Sequence, residues 1–303
     1  MTERARNMLL GALVADAASM GLHWLYDQER IAAVAGDTPE FRTPTEADYA
    51  DTKGYFAHGG KQAGALSHYG EQCLVMLRAL AAAGRYDRAA YEAEFRATFG
   101  YGGTFVGYID RPTRATLDAM AADPEGEGFH GDDDVQLPAV SKLPGVVALH
   151  GADPKIVEDA VRVTNNNDTA VAFGQLVATM MQDVLAGADP ADAMHKAVAA
   201  DPGKPGEAVR KALNMKGSTV EITRAIGMSC QLEYGIPSVA HNLTEARDFK
   251  HAVRTNILAG GDSCGRAIVL GAIMGAAHGV PQDWLSRLDD RAEIEALVDR
   301  ICG

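Results

Sequence analysis

Apolar residues recur along most of the chain at three- and four-residue spacings, the period of a helix with one buried face, and strict alternation is hard to find. Leu74, Leu77 and Ala81 with Val75 follow it, as do Val171, Gln175, Thr179 and Met180. The pattern predicts helices over 2–20, 71–83, 88–99, 113–121, 155–164, 168–186, 190–199, 207–214, 219–228, 243–259, 266–277 and 291–301. Runs of Val, Ile and Thr bounded by turn residues are scarce, so the expected class is all-α. Gly271, Gly275 and Gly279 recur every four residues along and just past one predicted helix. Each costs about 1 kcal/mol of helix propensity, which marks that helix as one approached closely by a neighbour near the centre of the fold.

Gly, Pro and Asp concentrate in loops at 37–64, 100–112, 123–142 and 201–206, none long enough to divide the chain. The expectation is a single domain over 1–303, without internal repeats. Asp132-Asp133-Asp134 beside His130 reads as a solvated loop rather than a cation site.

Charge changes the picture of partners. The 28 basic and 41 acidic side chains leave a net charge of −13 with no basic stripe, which excludes a reader of nucleic-acid backbone but leaves room for a phosphorylated small molecule held by local donors. Cys73, Cys230, Cys264 and Cys302 lie far apart with no C-x-x-C pair, as suits a reducing compartment. Arg4 and Arg6 before the apolar run 8–15 mimic a leader, but Gly11, Asp16 and Glu3 favour a folded helix. The apolar stretch 267–277 is about half of the roughly 20 residues that span a bilayer, so neither membrane nor nucleic acid is an expected partner and the location reads as cytoplasmic.

The most informative stretch is 258–279, LAGGDSCGRAIVLGAIMGAAHG. Gly260 and Gly261 allow unusual dihedrals, and Asp262 and Ser263 offer oxygens at a helix mouth whose free N–H groups suit an anion. An ordinary N-cap reads equally well. This stretch resembles the last motif of the ADP-ribosylglycohydrolase family, Gly-Gly-Asp followed by Thr-Asp-Thr. The segments 11–24 (GALVADAASMGLHW), 64–80 (GALSHYGEQCLVMLRAL) and 137–167, with Pro138, Pro144 and Val163-Thr164-Asn165, resemble other family segments in order, closest to the branch of the jellyfish J1 crystallins.

The resemblance implies a compact orthogonal multi-helix bundle of the ADP-ribosylglycohydrolase type, with a groove that holds two magnesium ions and orients ADP-ribose for cleavage. It also marks a departure. The family's Thr-Asp-Asp-Thr is Ser67-His68-Tyr69-Gly70 here, Asp-Thr-Asp-Thr is Asp262-Ser263-Cys264-Gly265, the acid after the opening helix is His23, and the central histidine is Asn165. Nitrogen and sulfur in place of hard oxygen argue against a dimagnesium centre, so no metal or other cofactor is expected.

Three functions stay open. The groove binds an ADP-ribosyl-type nucleotide or ADP-ribosylated substrate and cleaves it without magnesium, with Asp16, His23, His68 and Asp262 as acid and base. Alternatively it binds without cleaving, or persists as a crystallin-like structural member. In a third reading His23, His68, Asp262 and Cys264 form a zinc site or a Cys-His pair. Ligand contacts are expected from Ser67, Tyr69, Asn165, Asn166, Gly260, Gly261, Ser263 and Cys264. The loop 100–112 adds Gly102, Gly103 and a stacking Tyr108, with one residue of Asn165-Asn166-Asn167 capping the next helix. Trp24 carries no assigned role.

Overall fold

The computed structural model describes residues 2–124, 126 and 128–303. Among them there is no sheet, only isolated bridges such as Leu25 to Gly54 and Asp132 to Asn165. The all-α bundle predicted from periodicity is therefore the observed architecture.

Two helices form its axis. Glu3–Ser19 begins on Thr2, whose side chain accepts from the Ala5 amide, and from Met8 to Ser19 every residue is buried. Ser263–His278 is buried from Ser263 to Ala276. An apolar surface all round a helix means neighbours all round it. The two run antiparallel at backbone contact, since a Cβ on Gly11 would lie 2.3 Å from the Gly271 carbonyl oxygen and one on Gly275 would lie 2.3 Å from that of Asn7. The four-residue glycine spacing thus serves the approach it predicts, except at Gly279. That residue has φ +77° and ends the helix instead of facing its partner.

Helices His68–Ala83, Leu143–His150, Asp168–Leu185, Leu232–Glu245, Phe249–Leu258 and Arg291–Cys302 pack around this pair. The continuous helix expected over 243–259 is broken, because Asp248 caps a fresh start by accepting from the His251 amide. Sequence periodicity also misses most of Leu232–Glu245, which carries Gly235 and Pro237. Burial of Ile236, Val239, Ala240 and Leu243 outweighs that poor propensity. No helix among the described residues is long and apolar enough to cross a membrane.

Candidate functional site

Three helices begin at one place, where the first helix ends in a tight turn at Met20–Leu22. They are His68–Ala83, Arg111–Ala122 and Ser263–His278, opened by Ser67, Asp110 and Asp262. Gly260 and Gly261 adopt φ +72° and +64°, and a Cβ on Gly261 would lie 2.1 Å from the Met228 carbonyl oxygen. The Gly261 amide donates to Leu25 O (2.7 Å) and its carbonyl accepts from Trp24 N (2.8 Å), which pins His23 beside Cys264.

The carboxylates here are engaged internally. Asp16 accepts from the Ser67 hydroxyl (2.6 Å) and amide (2.8 Å), and burial pushes its carboxyl up to about 6. Asp262 accepts from the Tyr69 hydroxyl (2.5 Å) and the Gly265 amide (2.9 Å), and burial raises it too. Asp110 accepts from the Thr113 amide and faces His68 Nε2 at 3.1 Å. Burial raises Asp110, but His68 and Thr113 outweigh burial and hold it below the usual carboxylate range. With positive helix ends at all three starts, oxygen caps are natural, and Ser67, Asp110 and Asp262 supply them.

Between these caps lie three buried imidazoles. His23 Nδ1 accepts from the Cys264 amide (3.1 Å), so its proton sits on Nε2 and its 3.9 Å approach to Asp262 is no ion pair. Burial drives His23 well below its ordinary range and takes His58 down to about 3. One ligand-capable atom from each of His23, His58 and His68 lies within 4.8 Å of the others. Trp24, 7% exposed and at φ +62°, covers them, its ring stacked on His58 (6.3 Å between centroids) and edge-on to Tyr108 (5.1 Å).

A histidine kept neutral by burial has a definite effect on stability. Between pH 6.5 and about 3 the unfolded chain takes up a proton at His58 that the folded chain refuses, so this contribution is full above 6.5 and falls as the pH drops. Asp16 works in the opposite sense, since the folded chain keeps a proton that the unfolded chain releases between about 4 and 6. The variant His58→Gln is expected to flatten the acid side of the stability profile by as much as about 1.4 kcal/mol per pH unit. Urea titrations from pH 7 to pH 4 measure this, and a slope equal to that of the wild type would contradict the burial of His58.

Of the residues singled out from sequence, Asp16, His23, Ser67, His68, Tyr69, Gly260, Gly261, Asp262, Ser263 and Cys264 come together. Tyr108 joins them through the ring contacts with Trp24 and His68. Cys264 is fully buried and meets His23 through its amide, while its thiol lies against the Asp16 carbonyl and is raised by burial.

Gly102 and Gly103 make local contacts. Their turn is tied to the end of helix Arg88–Phe99, with Gly103 N donating to Gly100 O and Thr104 N to Ala97 O. Asn165 is locked between Thr164 Oγ1 and Asp134, and Asn166 pairs at the surface with Arg162. Asn167 caps the following helix. The acidic triplet is paired instead of solvated, with Asp132 and Asp134 on Arg111 and Asp133 on Asn167.

His58, Asp110, Trp24 and Lys142 were not visible as site residues. Only Asp110 carries a signal, an Asp two residues before a proline at a helix start. Lys142 is buried against Thr164 Oγ1, and burial lowers its amine to about 7.

This arrangement of helix starts can be compared with known proteins. The profile of the ADP-ribosylglycohydrolase family matches residues 1–303. The chain belongs to that family. It is 27% identical to Crystallin J1A of Tripedalia cystophora, over 99% of this chain and 96% of the relative. It is 26% identical to Crystallin J1B of the same animal, over 94% and 92%. A solved structure described as an ADP-ribosylglycohydrolase-related protein complex shares the fold with TM-score 0.72 at 20% identity, covering 99% of this chain and 96% of that one.

The two magnesium ions that the family resemblance implies do not fit these residues. Asp16 and Asp262 are already bonded to protein donors, and the groups left facing the centre are imidazole nitrogens. Magnesium demands near-octahedral oxygen ligation, which this floor does not offer.

Proposed function

We propose that this family member recognises an ADP-ribosyl-type group, free or on a modified substrate, without magnesium, and that recognition rather than hydrolysis is its activity. One observation carries this reading. Asp16 and Asp262 are fully buried and engaged with Ser67, Tyr69 and Gly265, whereas glycoside cleavage needs a carboxyl group free to protonate the leaving oxygen or activate water. Names among the relatives, both crystallins, support a member without turnover. Support for recognition lies over the histidines. Tyr55, 53% exposed, packs edge-on to Tyr108 and beside Trp24, an aromatic face suited to a purine. Arg114 lies over Tyr108 and Lys61 acts on both His58 and Asp16, which supplies positive charge for a diphosphate.

A second reading, hydrolysis without magnesium, draws on the pairing of His68 with Asp110. Asp110 accepts the proton on Nε2 and leaves Nδ1 as a base.

A thermal shift with ADP-ribose in EDTA tests the first reading. At a ligand concentration of 100 Kd the native state gains about 2.7 kcal/mol, and Tyr55→Ala with Tyr108→Ala should abolish the gain. No shift at millimolar ligand would sink it. Release of ADP-ribose from a modified peptide in EDTA, lost in His68→Ala, would establish the second reading in its place.

A further inference from the structure

We infer that His23, His58 and His68 form a site for one divalent transition-metal ion of the zinc class, independent of whether the cleft takes an ADP-ribosyl group. Buried polar atoms rarely lack partners, yet His23 Nε2, both nitrogens of His58 and Nδ1 of His68 all do, and they belong to the three rings that converge. Three converging rings that each carry an unsatisfied nitrogen call for a common partner. Their chemistry selects it, since neutral imidazole suits zinc, nickel, cobalt and copper and does not suit magnesium or calcium.

The surroundings resemble those of a built site. Asp110 accepts from Nε2 of His68, the carboxylate-histidine arrangement that fixes the tautomer and leaves the Nδ1 lone pair for a metal. His58 offers a lone pair from either face of its tautomeric equilibrium. His23 joins through Nε2 once its proton moves to Nδ1, which gives up the contact with the Cys264 amide. That lost hydrogen bond makes His23 the weakest of the three ligands.

Geometry requires a modest closure. Tetrahedral zinc with nitrogen ligands holds them about 3.4 Å apart, so the atoms must draw in from at most 4.8 Å. His58 lies in the stretch between helices Glu46–Tyr49 and His68–Ala83, outside any helix, which lets it make most of that movement. Of the zinc ligands offered by the sequence, Asp262 is held by Tyr69 and Gly265, and the Cys264 thiol lies against the Asp16 carbonyl instead. The three histidines give the count of protein ligands found where zinc acts chemically.

The experiment uses the full chain, stripped with a chelator and titrated with zinc against a chromophoric competitor, with elemental analysis of the product. One ion per chain is expected, bound with a Kd below about 1 μM and unaffected by millimolar magnesium. Affinity should fall about 100-fold in His58→Gln and His68→Ala, and about 10-fold in His23→Ala and Asp110→Asn. The exposed His195→Ala should bind like the wild type. Cobalt in the wild-type chain should give the intense visible bands of a four-coordinate ion, a readout that does not depend on any variant folding. Less than a tenth of an equivalent of zinc, a weak six-coordinate cobalt spectrum, or unchanged affinity in a folded His58→Gln would each overturn the site.

Discussion

Gly271→Val is expected to destabilise the protein by about 4 kcal/mol, more than most core substitutions, because the added atoms meet backbone. A Cβ at position 271 would lie 2.3 Å from the Gly11 carbonyl oxygen and 2.4 Å from the Ala15 side chain. Neither can rotate away, so the two axial helices must separate along their length. Even Gly271→Ala should lose about 2 kcal/mol, although alanine gains about 1 kcal/mol of helix propensity. Gly145 supplies the contrast, since a Cβ there meets the flexible ends of Leu80 and Leu77. Gly145→Ala should be close to neutral. Thermal unfolding reads the difference as a fall of about 8 °C or more for Gly271→Val. A shift within 2 °C would mean that the axial pair is not at backbone contact.

The second large effect belongs to Asp262. Truncation to alanine leaves the Tyr69 hydroxyl without its acceptor and uncaps the Gly265 amide, all inside a fully buried region. The expected loss is about 3 to 5 kcal/mol, since each buried donor left without an acceptor costs about 1 to 3 kcal/mol. Asp262→Asn keeps an oxygen that can accept from either donor and should lose about 1 kcal/mol. Tyr69→Phe should lose a similar amount, and combining it with Asp262→Ala should be milder than the sum, since the tyrosine hydroxyl is then no longer stranded. Additive losses in denaturant titrations would show that the two side chains do not share a bond.

Much of the fold was readable from periodicity because long amphipathic or apolar helices announce themselves, and the glycine spacing in 263–278 named the axis. The break at Asp248 and the helix Leu232–Glu245 were not readable, since a cap and a proline speak about local preference while burial decided both. The site divides in the same way. Motif order brought Asp16, His23, His68, Tyr69 and Asp262 to one floor. Nothing in the spacing of His58, in a glycine-rich loop, pointed to that floor. Asn165 and Asn166 show the converse, a motif position whose side chains are tied to Asp134 and Arg162 instead of facing the histidines.

By itself the sequence determined an all-helical chain and its axial glycine contact, because periodicity and residue type are local properties. Only the tertiary structure decided that Asp110 and Asp262 cap helices, that Asp16 is held by Ser67, and that a third histidine faces the other two. Those outcomes depend on which donors happen to lie within 3 Å once distant segments pack, and no spacing along the chain encodes that distance.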